Sequence, residues 1–288
     1  MIASLYFCSK SFIHNGDDSN RDVERKLLEL NELVEKIKRR REDNEFFLNN
    51  DTFLKTQILA DGTTIEGIIT LQNKIPRDLI NLFFTIFKVC KKNKLSFEDL
   101  ISYLSLEDED NCTALIALNY IEELPKNRQV LINYKSWLQF RRYYLGKYPK
   151  SPEYFLSECE KYFENLKIHP DNVRHLKDVL YSHSKKIICY LGCLNDSFAA
   201  EFKNSHKDLI HFMKIFAGNH NLDGASFEGT KKDCFKFIFP KEDSTEEVYC
   251  EPHLKIYRDD CGNVDQHCRI YFKNEQNIIF VGFIGKHL

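Results

Sequence analysis

The residues of this chain best suited to chemistry stand at residues 250–288. His253, Lys255 and Tyr257 alternate with Leu254 and Ile256, Arg269, Tyr271 and Lys273 alternate with Ile270 and Phe272, and Val281-Gly282-Phe283-Ile284 runs into Gly285, Lys286 and His287. Successive side chains on a strand point to opposite faces, so each alternating run predicts one apolar face for a core and one polar face. His253, Lys255, Arg269, Tyr271, Lys286 and His287 would share that polar, basic face. Such groups can cleave RNA without a metal. Cations stabilise the charge that builds on the phosphorane, while a positioned acid or base moves the protons of the 2′-hydroxyl and the leaving oxygen. In this reading Lys255 and Arg269 bind and stabilise phosphate, and His253 or His287 transfers the proton. The alternative is a solvated sheet face, and residues 227–288 hold nine Lys/Arg against eleven Asp/Glu, so any positive field is local to the face.

A second basic stretch, residues 134–150, mixes Lys135, Arg141, Arg142 and Lys147 with tyrosines, Trp137 and Phe140 and contains no acid. Aromatic rings interleaved with cations can stack bases and hold phosphates. The same residues also suit a surface loop whose aromatics anchor it to a core. Cys250, His253, Cys261, His267 and Cys268 offer soft metal ligands, but their spacing matches neither a zinc ribbon nor a zinc finger, so neither a metal nor any other cofactor is expected. A cysteine–histidine nucleophilic pair is conceivable, with nothing to select the cysteine.

These groups need elements to position them. With 288 residues, of which 43% are hydrophobic and 29% charged, and a formal net charge of −2, the chain is long enough for two domains and has no global charge that would draw it to nucleic acid or membrane. Residues 2–8 read as a strand. Val23, Leu27, Leu30, Val34 and Ile37 recur at helical spacing within residues 22–41, and the basic end of that segment suits a helix C-terminus. Further helices are expected from Pro76, from Ser96, over residues 113–124, after Ser151, and around 171–194 and 204–217, while 130–134 looks extended. After residue 224 the period changes from helical to alternating. The fold class expected is therefore α+β: a mainly helical domain over residues 1–224, then an antiparallel four-stranded sheet domain over 225–288, its strands near 234–239, 247–258, 267–273 and 278–284. The ten cysteines are dispersed, the first residues lack a basic signal-peptide region, and no apolar run reaches membrane-spanning length. A cytoplasmic protein with no membrane partner is expected.

The run His253-Leu254-Lys255-Ile256, then Arg269-Ile270-Tyr271-Phe272, then Val281-Gly282-Phe283-Ile284-Gly285-Lys286-His287-Leu288 resembles the C-terminal signature of an uncharacterised bacterial protein family. More distantly, the last part of the chain is similar to the RelE/HigB superfamily of toxins, ribosome-dependent endoribonucleases with helices packed on a twisted antiparallel sheet. That resemblance implies a RelE-like sheet, a phosphate-binding lysine and arginine at Lys255 and Arg269, further groups at Lys286 or His287, and a bacterial toxin–antitoxin or antiviral defence setting. RNA is the expected ligand and an antitoxin or defence-complex subunit the expected protein partner. The alternative is a non-catalytic interaction, immunity or regulatory subunit that uses the same face to hold an anionic ligand or a protein chain.

Overall fold

The computed structural model describes residues 2–40, 43–71, 75–106, 110–125, 128–205, 208–227, 233–241, 244–264 and 268–288. Two compact units divide the chain, Met1–Phe140 and Arg141–Leu288. The division lies well before residue 224, where the change of period suggested it, because the helices that follow Ser151 build one core with the C-terminal strands.

In the first unit the elements are β1 (Ile2–Phe7), α1 (Asn20–Lys38), β2 (Asn44–Leu48), α2 (Asn50–Leu54), α3 (Ile65–Leu71), α4 (Arg77–Val89), β3 (Cys90–Lys92), α5 (Phe97–Tyr103), β4 (Asn111–Ile116) and β5 (Val130–Leu131). The helix α6 (Tyr134–Lys147) then carries the chain into the second unit. The strands form one parallel sheet in the order β3-β2-β1-β4-β5. Ser19 caps α1 by accepting from the Asp22 amide, and the Asp22 carboxylate bonds back to complete a capping box. The apolar stripe read from the sequence, Val23 to Ile37, is buried at every position. Phe7 meets Phe46 and Phe53, and Phe53 meets Phe83 of α4. Tyr6, Cys8, Leu115 and Ala117 pack instead with Leu100 and Leu104 of α5 and its end. Residues on successive strand positions thus feed two cores.

Two sequence expectations fail here. The helix expected over 113–124 is β4, because Thr113-Ala114-Leu115-Ile116 lies between β1 and β5 and is buried on both faces; a strand of that kind reads as a continuous apolar run rather than an alternating one. Residues 52–71, whose sequence suits strands or a loop, instead hold most of α2 and all of α3, joined around an isolated bridge between Gln57 and Thr64.

The second unit continues with α7 (Pro152–Tyr162), β6 (Leu166–Ile168), α8 (Asn172–Leu176), α9 (Leu180–Cys193), α10 (Ala199–Ser205) and α11 (Leu209–Asn219). The strands β7 (Gly224–Ser226), β8 (Lys236–Pro240), β9 (Thr245–Tyr249), β10 (His253–Ile256), β11 (Cys268–Glu275) and β12 (Ile278–Gly285) follow. The antiparallel four-stranded meander is not what forms. A five-stranded mixed sheet has the order β6-β12-β11-β10-β7, with β6 parallel to β12, and β8 and β9 make a separate two-stranded sheet. The strand expected over 247–258 is split into β9 and β10 around Pro252, which has no amide proton to donate to a ladder and whose carbonyl accepts from Phe272. Leu254, Ile256, Ile270, Phe272, Val281 and Ile284 face the helices and share their core with Phe198, Phe212 and Phe216.

The register of β11 against β12 shifts between Tyr271 and Phe272, which pair with Phe283 and Val281 and leave Gly282 as an extra residue. This bulge restores parity: Ile279, Val281 and Ile284 face the helical core, while Phe280 and Phe283 face the other side. A Cβ on Gly282 would lie 2.4 Å from the Phe237 ring. Gly282→Ala is therefore expected to destabilise the protein by about 1–3 kcal/mol through overpacking, where a glycine replaced without strain would gain stability. A lowered urea midpoint at unchanged slope checks this.

Candidate anion-binding site on the C-terminal sheet

The register of the second unit's sheet sets three positions in a row across it: Lys255 pairs with Arg269, and Arg269 pairs with Gly285. All three lie on the face turned away from the helical core. Cβ atoms directly opposite one another in an antiparallel pair stand about 4.5–5.5 Å apart, where like charges are unfavourable. Lys255 and Arg269 are each half-buried. The Arg269 Nε and Nη1 atoms are buried and have no hydrogen-bond partner, and the Lys255 ammonium forms no ion pair, among the described residues. Two adjacent cations without a carboxylate, one of them with shielded, unused N–H donors, are costly unless an anion supplies the missing acceptors.

The rest of the expected face is not open. Phe235, Phe239, Val248 and Cys250, on or beside the β8–β9 hairpin, bury against Tyr271, Phe280 and Phe283. His253 is only 1% exposed and Tyr271 not at all. Their rings lie 4.5 Å apart, and Phe235 stacks on Tyr271 at 5.5 Å. His253 and Tyr271 are thus packing residues, and the proton-transfer role expected of His253 is blocked by burial under the hairpin. Lys286 and His287 follow directly on Gly285 and are exposed, with His287 Nδ1 2.5 Å from the Leu288 carbonyl oxygen.

A group that sequence reasoning missed stands at the same end of the sheet. The Cβ of His175, on α8, is 3.2 Å from where a Cβ on Gly285 would be, and its ring lies 4.5 Å from that of Phe283. Nothing in Val173-Arg174-His175 marks this histidine out; only the docking of α8 beside β12 brings it to the Lys255–Arg269–Gly285 row. Asn172 sets that docking. It is fully buried, donates from Nδ2 to the His169 and Gly282 carbonyls, and accepts at Oδ1 from the Ile284 amide at 2.6 Å. Burial holds the His175 imidazole below the ordinary histidine range, with the nearby Asp171 opposing, so the ring is neutral at pH 7 and able to accept a proton. A histidine depressed in the folded state stabilises the protein above its unfolded pKa, and that contribution is lost as pH falls through the folded value. Acidification from about pH 7.5 to about pH 5.5 should lower the urea midpoint, and less so in His175→Asn.

The basic stretch at residues 134–147 is α6, and two of its four cations are committed internally. Arg141 and Arg142 are 2% and 5% exposed. Arg141 donates to the Tyr162 hydroxyl at 2.7 Å and pairs with Glu158 at 3.4 Å, while Arg142 donates to the Tyr162 carbonyl and to Asp196, each at 2.7 Å. The phosphate contacts expected of these two residues are replaced by buried pairing, since a guanidinium bonded to a carboxylate inside a core cannot reach a polynucleotide. Lys135 is exposed, and Lys147 is half-buried with its ammonium 5.1 Å from the Tyr148 ring centre. The aromatics serve as anchors: Trp137 is fully buried, and Tyr134 receives the Lys36 ammonium at 4.0 Å.

Cys250 packs on the hairpin side of the sheet and Cys268 on the helical side, so these two thiols cannot share a metal ion. Burial pushes both up to about 12, which leaves them protonated and unreactive at neutral pH. Cys261 is exposed, and His267 lies outside the described residues. No helix among the described residues is long and apolar enough to cross a membrane. No protein-family model matches the sequence, and no curated protein and no solved structure matches it significantly.

Proposed function

We propose that the second unit binds phosphate-bearing anions at Lys255 and Arg269, with RNA as the ligand, and that the protein is a metal-independent, RNA-cleaving toxin-like or defence-associated nuclease. The observation that carries the reading is the cation pair itself: among the described residues, Arg269 presents buried N–H groups with no acceptor, directly across the ladder from an unpaired Lys255. Placed beside a phosphate, these two charges stabilise the phosphorane as it forms. With His253 enclosed, the proton-transfer role passes to the exposed His287 or to the neutral His175. The antiparallel run β7-β10-β11-β12 with helices on one face is the part of the unit that supports a RelE-like arrangement.

Expression of the intact chain should arrest growth and degrade cellular RNA, and Lys255→Ala should relieve both. Binding of a labelled RNA to the purified protein should weaken with salt, and removal of one phosphate contact should flatten the log–log slope by about one unit. Growth arrest that Lys255→Ala leaves intact would move the site elsewhere. The second reading, a non-catalytic immunity, regulatory or defence-complex subunit, is favoured by one observation: burial of His253 and Tyr271 removes two of the side chains that cleavage was expected to use. Salt-dependent RNA binding without any RNA degradation would select it. RNA, antitoxin-like proteins and defence-complex subunits remain the proposed partners.

A further inference from the structure

The first unit has a cavity of about 670 Å³ at the carboxyl ends of its strands. Its walls come from the segments that follow β1 (Ser9, Ile13), β2 (Asp51, Lys55) and β3 (Leu95, Phe97). The volume lies within the range of small-molecule sites, and in open parallel sheets ligands bind outside the carboxyl ends of the strands. We propose that this crevice binds a nucleoside monophosphate.

Four features select that class. Part of the lining is apolar, with Phe7, Ile13, Leu95, Phe97 and Leu100 among its residues, and suits a planar base. Ser9 is only 8% exposed and lines the cavity, and its hydroxyl has no hydrogen-bond partner among the described residues. That hydroxyl opens onto the cavity and can donate to or accept from a polar edge of the ligand. At the lip, Asp51 and Lys55 stand four residues apart around α2, so they share one side of it. Both are exposed, and neither forms an ion pair with any described residue. A carboxylate in the first turn after a parallel strand suits the ribose hydroxyls, and the ammonium one turn away suits a phosphate.

The same lining limits the phosphate count. The other lysine of the cavity, Lys10, is held by Glu123 at 2.8 Å and lies over the Phe97 ring. The turn after β1 reads Cys8-Ser9-Lys10-Ser11 and has no glycine, so it lacks the glycine-rich turn through which a backbone approaches a pyrophosphate. One available cation and no diphosphate cradle fit a monophosphate.

The test titrates AMP, GMP, CMP and UMP, and the corresponding nucleosides, into the full-length protein by calorimetry. Arg269→Met is run in parallel to remove the other anion site. At least one nucleotide should bind one to one in Arg269→Met, and the wild type should retain a site of the same affinity. Lys55→Ala should weaken that nucleotide about tenfold, as loss of one charged contact does, and leave its nucleoside unaffected. Ser9→Ala should weaken both. Absence of binding at millimolar nucleotide, binding indifferent to Lys55→Ala and Ser9→Ala, or binding lost in Arg269→Met would each overturn the proposal. The last outcome would assign the nucleotide to the C-terminal sheet, whereas failure of RNA binding there leaves this crevice untouched.

Discussion

Arg269→Met is expected to weaken phosphate and RNA binding by at least a factor of about 10 while leaving the protein as stable as wild type, or more so. The usual result for a half-buried arginine is the reverse, because its guanidinium is normally bonded and its removal strands a partner. Arg269 strands nothing: its Nε and Nη1 have no acceptor among the described residues, and its nearest cross-strand neighbour is the like-charged Lys255. Each unsatisfied buried donor costs about 1–3 kcal/mol, and methionine keeps an apolar stem against the sheet. Loss of a charge-assisted contact to phosphate should weaken binding by a factor of about 10–100. Inorganic phosphate or sulfate should raise the melting temperature of the wild type through linkage and move the variant less. Thermal melts of both proteins across a phosphate series decide the matter. A variant several kcal/mol less stable than wild type would make Arg269 a structural residue and remove the foundation of the anion site.

Asn172→Ala should give the largest loss of stability among the substitutions considered. Its amide bonds two carbonyls and one amide proton, those of His169, Gly282 and Ile284, and it is fully buried. Alanine leaves the Ile284 amide and the Gly282 carbonyl without their partner at the bulge. At about 1–3 kcal/mol for each stranded group, a loss of about 3 kcal/mol is expected. For a protein of this size that corresponds to a fall in melting temperature of about 6–12 °C. The same change releases the contact that docks α8 on β12, so it should also weaken RNA binding in protein that is still folded. Stability within about 0.5 kcal/mol of wild type would show that the bulge holds without this side chain.

The sequence by itself determined the elements whose pattern is local. The α1 stripe from Val23 to Ile37, the helix starts at Pro76, Ser96 and Ser151, and the alternation in β10 and β11 are visible because each reports a repeating or capping pattern that is local in the chain. It also offered Lys255 and Arg269 as candidate anion ligands on one strand face, but their pairing is set by the register of β10 on β11. What it did not determine was which surface covers which. β4 reads as a helix because a strand buried on both faces loses its period. Arg141 and Arg142 read as phosphate ligands because the partners that neutralise them, Glu158 and Asp196, are 17 and 54 residues away. His253 and Tyr271 read as an exposed catalytic pair, but the β8–β9 hairpin folds over them and turns that half of the face into a second small core. Tertiary structure alone decided the placement of His175 and the crevice beyond β1, β2 and β3, since both are made by segments far apart in the chain. Alternation states that a side chain leaves the sheet on a given side; whether it then meets water, a carboxylate or a phenylalanine depends on long-range packing, which leaves no period in the sequence.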